Sequence, residues 1–122
     1  MGVFSTGIQR FFNKPASFQT SKGETSEREL QSKLYGLFFG MHNMGIENVK
    51  RAYFADVQYE GLSNERLALC LVADRDYAEH TASEIGKVFE QTHARGELDI
   101  LFISGTQEQQ IRDVCQPFFS AL

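Results

Sequence analysis

The first clear pattern in the chain is an apolar repeat of helical spacing. Leucine or methionine recurs every three or four residues at Leu30, Leu34, Leu37 and Met41. This spacing places the side chains on one face of a helix. The preceding Ser26-Glu27-Arg28-Glu29 has the Ser-x-x-Glu pattern of a capping box, so we expect the helix to begin at Ser26. Gly45 can adopt the left-handed conformation that ends many helices, so we expect the helix to end just before it.

Two further helices are predicted in the second half of the chain. Asp76-Tyr77-Ala78-Glu79 resembles a capping box, which makes Asp76 the expected N-cap of a helix that ends near Gly96. Thr106-Gln107-Glu108-Gln109 is expected to cap the last helix, and Pro117 stops it because proline lacks an amide hydrogen. The expected inward residues are Ala78, Ala82, Ile85, Phe89 and Thr92 in the first of these helices, and Ile111, Val114 and Cys115 in the second.

Three segments have the pattern of β-strands. Between Val49 and Tyr59 apolar residues alternate with others, which predicts a strand with one buried face. Residues 66–73 are apolar on both faces, as expected of a central strand, and the turn at residues 61–64 would pair the two strands as a hairpin. Residues 98–104 form the third predicted strand. We expect a single core made of Leu34, Leu37, Tyr53, Val57, Leu69, Leu71, Ile85, Phe89, Ile100 and Phe102.

These elements predict an α+β fold with the order α-β-β-α-β-α. A strand-helix-strand crossover should be right-handed, which places the third strand in the same sheet as the first two. We expect a small mixed sheet of about three strands, with helices packed mainly on one face. Residues 26–122 are expected to form this single domain.

Residues 1–25 have a different pattern and are expected to be an N-terminal arm and linker. The arm has apolar residues at helical spacing, and the polar stretch after Pro15 indicates a flexible linker. The arm would either dock on its own domain or bind a partner. Its apolar residues are Phe4, Ile8, Phe11 and Phe12.

Length, composition and charge narrow the class of protein. With 122 residues, 42% of them hydrophobic and 23% charged, the chain is typical of one globular domain. The 16 acidic and 12 basic residues give a net charge of −4, which disfavours nucleic acid as a partner. No apolar run approaches the roughly 18 residues of a membrane span. Cys70 and Cys115 are flanked by apolar residues, which indicates buried thiols and a reducing, cytoplasmic location.

Few residues are candidates for catalysis. His42, His80 and His93 could act as acids or bases near neutral pH, but all three fall on predicted helices, where a structural role explains them. The acidic residues in or near strands are interpreted as a helix cap, strand boundaries or solvent-facing positions: Asp56, Asp74, Asp76 and Asp99. Metal-binding cysteine and histidine motifs and glycine-rich phosphate loops do not occur. We therefore assign no catalytic residue, no cofactor and no metal ligand.

The first predicted helix has features that indicate an interface. Gly36 and Gly40 lie inside it, where each costs about 0.5–1 kcal/mol relative to alanine. Close approach of another helix would offset this cost, either within the domain or across a dimer interface. Aromatic residues beside the leucine stripe make the apolar surface wider than the roughly 100° that faces a single core. We expect Gly36→Leu or Phe38→Glu to dissociate a dimer and to leave the fold intact.

The chain ends add further aromatic residues, more than a small three-stranded core is expected to absorb. The candidate interface therefore includes both ends of the chain. Its residues are Tyr35, Gly36, Phe38, Phe39, Gly40, Phe11, Phe12, Phe118 and Phe119.

Several short motifs resemble the C-terminal domain of bacterial enhanced serine sensitivity (SseB-like) proteins. They are residues 49–54 (Val-Lys-Arg-Ala-Tyr-Phe), the apolar strand at 66–73, residues 98–102 (Leu-Asp-Ile-Leu-Phe) and Pro117-Phe118-Phe119. The resemblance covers about residue 26 to the end. It implies a bacterial cytoplasmic setting, a stand-alone module without the separate N-terminal domain of the larger proteins, and an accessory or regulatory role. The family has no established catalytic residues, so the resemblance neither supports nor excludes an enzyme.

The leading functional hypothesis is a non-enzymatic protein-interaction module whose partner is a protein, including a second copy of the chain. The alternative is a small-ligand-binding protein or an enzyme with an unrecognised site. A deep pocket with two or more convergent polar groups would favour the alternative, and a flat apolar patch would favour the interaction module.

Overall fold

The computed structural model describes residues 7–9, 15–23, 25–46, 48–61, 64–92 and 97–121. The strands in these ranges are β1 (Gly7–Gln9), β2 (Pro15–Thr20), β3 (Val49–Tyr59), β4 (Arg66–Ala73), β5 (Glu97–Phe102) and β6 (Phe119–Ser120). The helices are α1 (Thr25–Asn43), α2 (Ala78–Glu90) and α3 (Gly105–Arg112), and a 3-10 turn (Arg75–Tyr77) precedes α2. The protein is therefore a mixed α and β structure, as predicted.

The described strands form one mixed sheet in the order β1-β5-β4-β3-β2, and β6 pairs with β3. β5 is parallel to both β4 and β1, whereas β3 is antiparallel to β4, β2 and β6. The helix α2 forms the crossover between the parallel strands β4 and β5. The predictions that residues 66–73 are central and that the third predicted strand joins the same sheet are confirmed.

The predicted count of about three strands is too low, because the sheet of the described residues has six strands, and the predicted order α-β-β-α-β-α lacks β1, β2 and β6. β1 and β2 fall in the segment predicted to be a helical arm and a flexible linker, and both belong to the same sheet as the rest of the described chain. β2 is an edge strand with a single buried residue, Phe18, so it has no alternating apolar pattern. β6 has only two residues. Phe4, Phe11 and Phe12 lie outside the described residues.

Both faces of the sheet are covered, which divides the predicted single core into two. Residues of α1 and α2 pack on one face with Leu69 and Leu71, and Ile111 of α3 packs on the other face with Tyr53 and Val57. Two of the three helices thus lie on one face. β3 was predicted to bury one face, but it buries Ala52 and Phe54 as well, because α1 and α2 cover one face of the sheet and α3 covers the other.

The end of α1 is the local feature that the sequence predicted best. Gly45 has a φ of +79°, and its amide donates to the carbonyl of His42 at 3.0 Å. The Ile46 amide donates to the carbonyl of Met41 at 2.8 Å. These two bonds make a Schellman ending and turn the chain sharply toward β3.

The helix starts differ from the predictions by one or two residues. α1 begins at Thr25, so Ser26 lies inside its first turn. Asp74, rather than Asp76, is an N-cap, and its carboxylate accepts from the Asp76 amide at 2.9 Å. Ser104, rather than Thr106, caps α3 in a capping box with Gln107. α3 ends at Arg112, so the residues predicted to face inward at 114 and 115 lie beyond it, and Val114 is exposed.

Candidate functional site

The aromatic residues of α1 lie on different sides of the helix. Phe38 is 2% exposed and packs in the core, and so does Phe119, which is 3% exposed. Tyr35 and Phe39 face outward and are 46% and 47% exposed. Only the outward pair is therefore available for contact with another molecule.

Two glycines complete the outward side of α1. Beyond its two chain neighbours and the backbone of α1 itself, a side-chain Cβ at Gly36 or Gly40 would meet no atom of the described residues within 4 Å. The interpretation that a helix of the same domain approaches these glycines closely is therefore wrong for the described part of the chain. Tyr35, Gly36, Phe39 and Gly40 together are called the α1 outer surface below.

The rings of the α1 outer surface are held in place by neighbours. Tyr35 stacks on Phe39, with ring centroids 5.8 Å apart and an interplanar angle of 14°. Tyr35 also contacts Phe119 edge to face at 5.9 Å. Phe119 belongs to β6, so the sheet anchors Tyr35 from below while its other side stays exposed. The result is a preformed apolar surface.

The other aromatic residues of the candidate interface are packed internally. Phe118 stacks on Phe54 of β3 at 5.1 Å and contacts Phe38 at 6.3 Å. Phe38 in turn contacts Phe119 at 5.5 Å. The sheet and the chain end thus absorb more aromatic surface than expected for three strands. Phe11 and Phe12 lie outside the described residues.

The opposite face of the sheet holds a buried ion pair on Asp99 of β5. Asp99 was interpreted as a boundary or solvent-facing residue, but it is 0% exposed. Its Oδ2 accepts from Tyr59 Oη and from Arg66 Nε, both at 2.9 Å, and Arg66 Nη2 donates to Oδ1 at 3.0 Å. Three neighbouring strands, β3, β4 and β5, therefore supply one group each.

A second ion pair links α3 to the same face. Glu108 of α3 is 7% exposed and accepts two hydrogen bonds from the Arg51 guanidinium, through Nε and Nη2. Tyr53 Oη donates to Glu108 Oε2 at 2.5 Å. This bidentate arrangement positions the short helix α3 on β3. The sequence signal for both networks was the pair of inward-pointing tyrosines, Tyr53 and Tyr59. A buried tyrosine hydroxyl needs a hydrogen-bond partner.

The ionisation of these groups favours a structural role. Burial, followed by the hydrogen bond to Glu108, raises the pKa of Tyr53 to about 12. Burial, followed by the nearby Asp99, raises the pKa of Tyr59 above its ordinary value. The hydrogen bond from Arg51 lowers the pKa of Glu108, although burial opposes this effect. The Glu108 carboxylate is thus held ionised by its donors rather than poised to exchange protons with a substrate.

Glu108 is expected to make the stability of the protein pH-dependent. A carboxyl whose folded-state pKa is lowered stabilises the fold above its ordinary pKa of about 4.5, and this contribution is lost as pH falls through the folded value. Urea denaturation should therefore show a destabilisation by Glu108→Gln that is largest near neutral pH and shrinks in acid. Glu84→Gln is the matched control, because Glu84 pairs with the exposed Lys87 on α2, where solvent screens the pair and little effect on stability is expected. An effect of Glu108→Gln that is the same at neutral and acid pH would contradict the assignment.

Cysteine, histidine and metal chemistry receive no support from the described geometry. Cys70 and Cys115 are free thiols, and burial raises the pKa of both, which disfavours a reactive thiolate. His42 is half-buried near the end of α1, His80 is exposed on α2, and His93 lies outside the described residues. Within the described ranges, no group of three or more histidine, cysteine or acidic residues could hold a metal ion.

No helix in the described part of the chain is long and apolar enough to cross a membrane.

One open cleft of about 490 Å³ lies where α1 leads into β3 and β4 leads into α2. The end of α1 supplies Gly45 and Ile46, the start of β3 supplies Asn48, and the β4–α2 connection supplies Asp74, Tyr77 and His80. A hydrogen bond from the Asp74 amide to the Asn48 carbonyl, 2.9 Å long, holds the two connections together. The cleft combines an apolar wall with several polar groups, as small-ligand sites do.

Searches against protein-family models, curated proteins and solved structures find no match to the chain.

Proposed function

We propose that this protein is a non-enzymatic accessory or regulatory module of a bacterial cytoplasm that acts by protein–protein interaction and forms a two-fold dimer through the α1 outer surface. The observation that carries the proposal is the exposed, stacked pair Tyr35 and Phe39 beside two glycines with open space above them. The resemblance to enhanced serine sensitivity proteins and the two free thiols support the bacterial cytoplasmic setting.

The arrangement of large and small residues supports a second copy as the partner. Tyr35 and Phe39 project as knobs, and Gly36 and Gly40 leave adjacent depressions on the same helix. In a two-fold contact the same surface meets itself, so each helix can place its aromatic rings over the glycines of the other. Burial of these rings would also offset the cost of two glycines in a helix, which is about 0.5–1 kcal/mol each.

Light scattering and a leucine substitution test the proposal. The unmodified protein is expected to be a dimer at about 50 µM, a concentration at which an interface of standard size holds. Gly36→Leu should give a monomer with unchanged circular dichroism, because leucine favours the helix but prevents close approach. Ser83→Leu, which adds the same side chain to an exposed position of α2, is the control and should remain dimeric.

Two results would contradict the proposed function. The first is an unmodified protein that is monomeric at this concentration. The second is a Gly36→Leu variant that dimerises as well as the Ser83→Leu control.

A further inference from the structure

The cleft beside α2 is lined by four polar side chains, those of Asn48, Asp74, Tyr77 and His80. The Asp74 carboxylate uses Oδ1 to accept from the Asp76 amide, which leaves Oδ2 for a ligand. Asn48 is 7% exposed, and within the described ranges no residue hydrogen-bonds its side-chain amide. Because Asn48 lines the cleft, the oxygen of its side-chain amide can accept a hydrogen bond from a bound group.

An anion does not suit this cleft, although α2 begins there. The preceding 3-10 turn occupies two amides here: the Tyr77 amide, just before α2, donates to the Asp74 carbonyl, and the Ala78 amide, the first of α2, donates to the Arg75 carbonyl. Two exposed carboxylates, Asp76 and Glu79, also lie at this helix start. Their charge and that of Asp74 would repel a phosphate or a carboxylate.

A cation suits the same groups. The carboxylate of Asp74 supplies a full negative charge, and the carbonyl end of the long helix α1 reaches the cleft at Gly45, where a helix favours positive charge. The basic side chain in this turn, Arg75, is directed away, because its Nη2 donates to the Phe102 carbonyl at 2.9 Å. His80 is the remaining titratable group of the lining.

The apolar wall narrows the choice of cation. Tyr77 is 52% exposed and Ile46 is 37% exposed, so both present apolar surface at the cleft. A guanidinium is flat and weakly hydrated, stacks on aromatic rings, and can donate two parallel hydrogen bonds to a carboxylate. A compact, strongly hydrated ammonium would use the Tyr77 wall less well.

We propose that this cleft binds a guanidinium group on a short apolar stem, with Asp74 and Asn48 as acceptors and Tyr77 as the stacking surface. The group can be carried by a free small molecule or by an arginine side chain of another protein. The site is separate from the α1 outer surface, so its test is independent of dimer formation.

Nuclear magnetic resonance titration of the full ¹⁵N-labelled chain tests the proposal. The probes are N-ethylguanidinium and a blocked Gly-Arg-Gly peptide, and their uncharged counterparts of the same shape are N-ethylurea and Gly-citrulline-Gly. Both guanidinium probes should shift the Asn48 side-chain amide signals saturably, in about the millimolar range expected for so small a ligand. The uncharged probes should cause no saturable shift of these signals.

Paired variants distinguish binding of the guanidinium in the cleft from general electrostatic attraction of a cation to the protein. Asp74→Asn should weaken binding at least about fivefold, because it removes the ion pair but keeps an acceptor for the Asp76 amide. Asp76→Asn removes an equal charge that does not line the cleft and should change binding less than about twofold. The amide spectrum of each variant reports whether it is folded.

The outcomes are distinct. Saturable binding of both guanidinium probes with similar affinity supports a small-molecule ligand, and tighter binding of the peptide supports an arginine side chain. No saturable shift at Asn48, equal binding of the uncharged probes, or equal losses in the two variants would each overturn the proposal.

Discussion

Phe38→Glu is expected to unfold the protein, whereas Phe39→Glu is expected to leave it folded and to dissociate the dimer. The two residues are adjacent in α1, but Phe38 is 2% exposed and Phe39 is 47% exposed. A glutamate at position 38 would lie among apolar side chains with no partner for its charge, at a cost on the order of 4–5 kcal/mol or more. This is comparable with the whole stability of a small domain, which is about 5–15 kcal/mol.

At position 39 the same glutamate would project into solvent. It would place two like charges in the centre of the proposed two-fold interface, where like charges cost several kcal/mol. Far-ultraviolet circular dichroism and light scattering should therefore report an unfolded Phe38→Glu protein and a folded, monomeric Phe39→Glu protein. The prediction that Phe38→Glu leaves the fold intact is withdrawn, because Phe38 contacts Phe118 and Phe119 inside the core.

A conservative pair of variants provides the control. Phe38→Leu keeps an apolar side chain in the core and should fold, and Phe39→Leu should keep much of the apolar contact of the dimer. A folded Phe38→Glu protein would show that the inner side of α1 is not buried as described. A dimeric Phe39→Glu protein would move the interface away from the α1 outer surface.

Asp99→Ala is expected to destabilise the protein by about 3 kcal/mol, the lower end of the range for breaking a buried ion pair. The substitution removes the carboxylate that accepts hydrogen bonds from both the Arg66 guanidinium and the Tyr59 hydroxyl. We expect the lower end of this range of destabilisation, because the Arg66 side chain is 27% exposed and can hydrogen-bond to water in the variant. Tyr59 is 1% exposed and cannot, so its hydroxyl accounts for much of the loss.

Urea denaturation of single and double variants measures this effect. Asp113→Ala, at an exposed position after α3, is the control and should stay within about 0.5 kcal/mol of the unmodified protein. Tyr59→Phe combined with Asp99→Ala should cost less than the sum of the two single changes, because both changes remove the same hydrogen bond. Strict additivity would show that the Tyr59–Asp99 hydrogen bond does not contribute to stability.

The candidate interface was only partly predictable from the sequence. Helical spacing predicted apolar side chains on α1 beyond those of the core, and Tyr35 and Phe39 are exposed there, whereas the interface role of the glycines stays a prediction. The spacing could not tell which rings face the sheet, because Tyr35, Phe38 and Phe39 flank the same leucine stripe. That choice depends on Phe118 and Phe119, which pack beneath α1 only after the chain end has paired with β3.

The two ion pairs were missed for a related reason. Asp99 and Glu108 are separated by 33 and 57 residues from the arginines they bind, Arg66 and Arg51. A carboxylate in an apolar strand is read as solvent-facing unless its partner is known. Only the pairing of β3, β4 and β5 brings the three groups around Asp99 together.

By itself the sequence determined the three helices, the strands β3, β4 and β5 in their chain order, the end of α1 and the central position of β4. Each of these depends on periodicity, turns or glycine conformation within one short segment. The tertiary structure alone decided the edge strands β1, β2 and β6, the division of the core between two faces, the partners of the buried carboxylates and the exposure of the α1 aromatics. These features arise between segments far apart in the chain, because a short edge strand is stabilised by its neighbour's backbone and a buried charge by a distant partner.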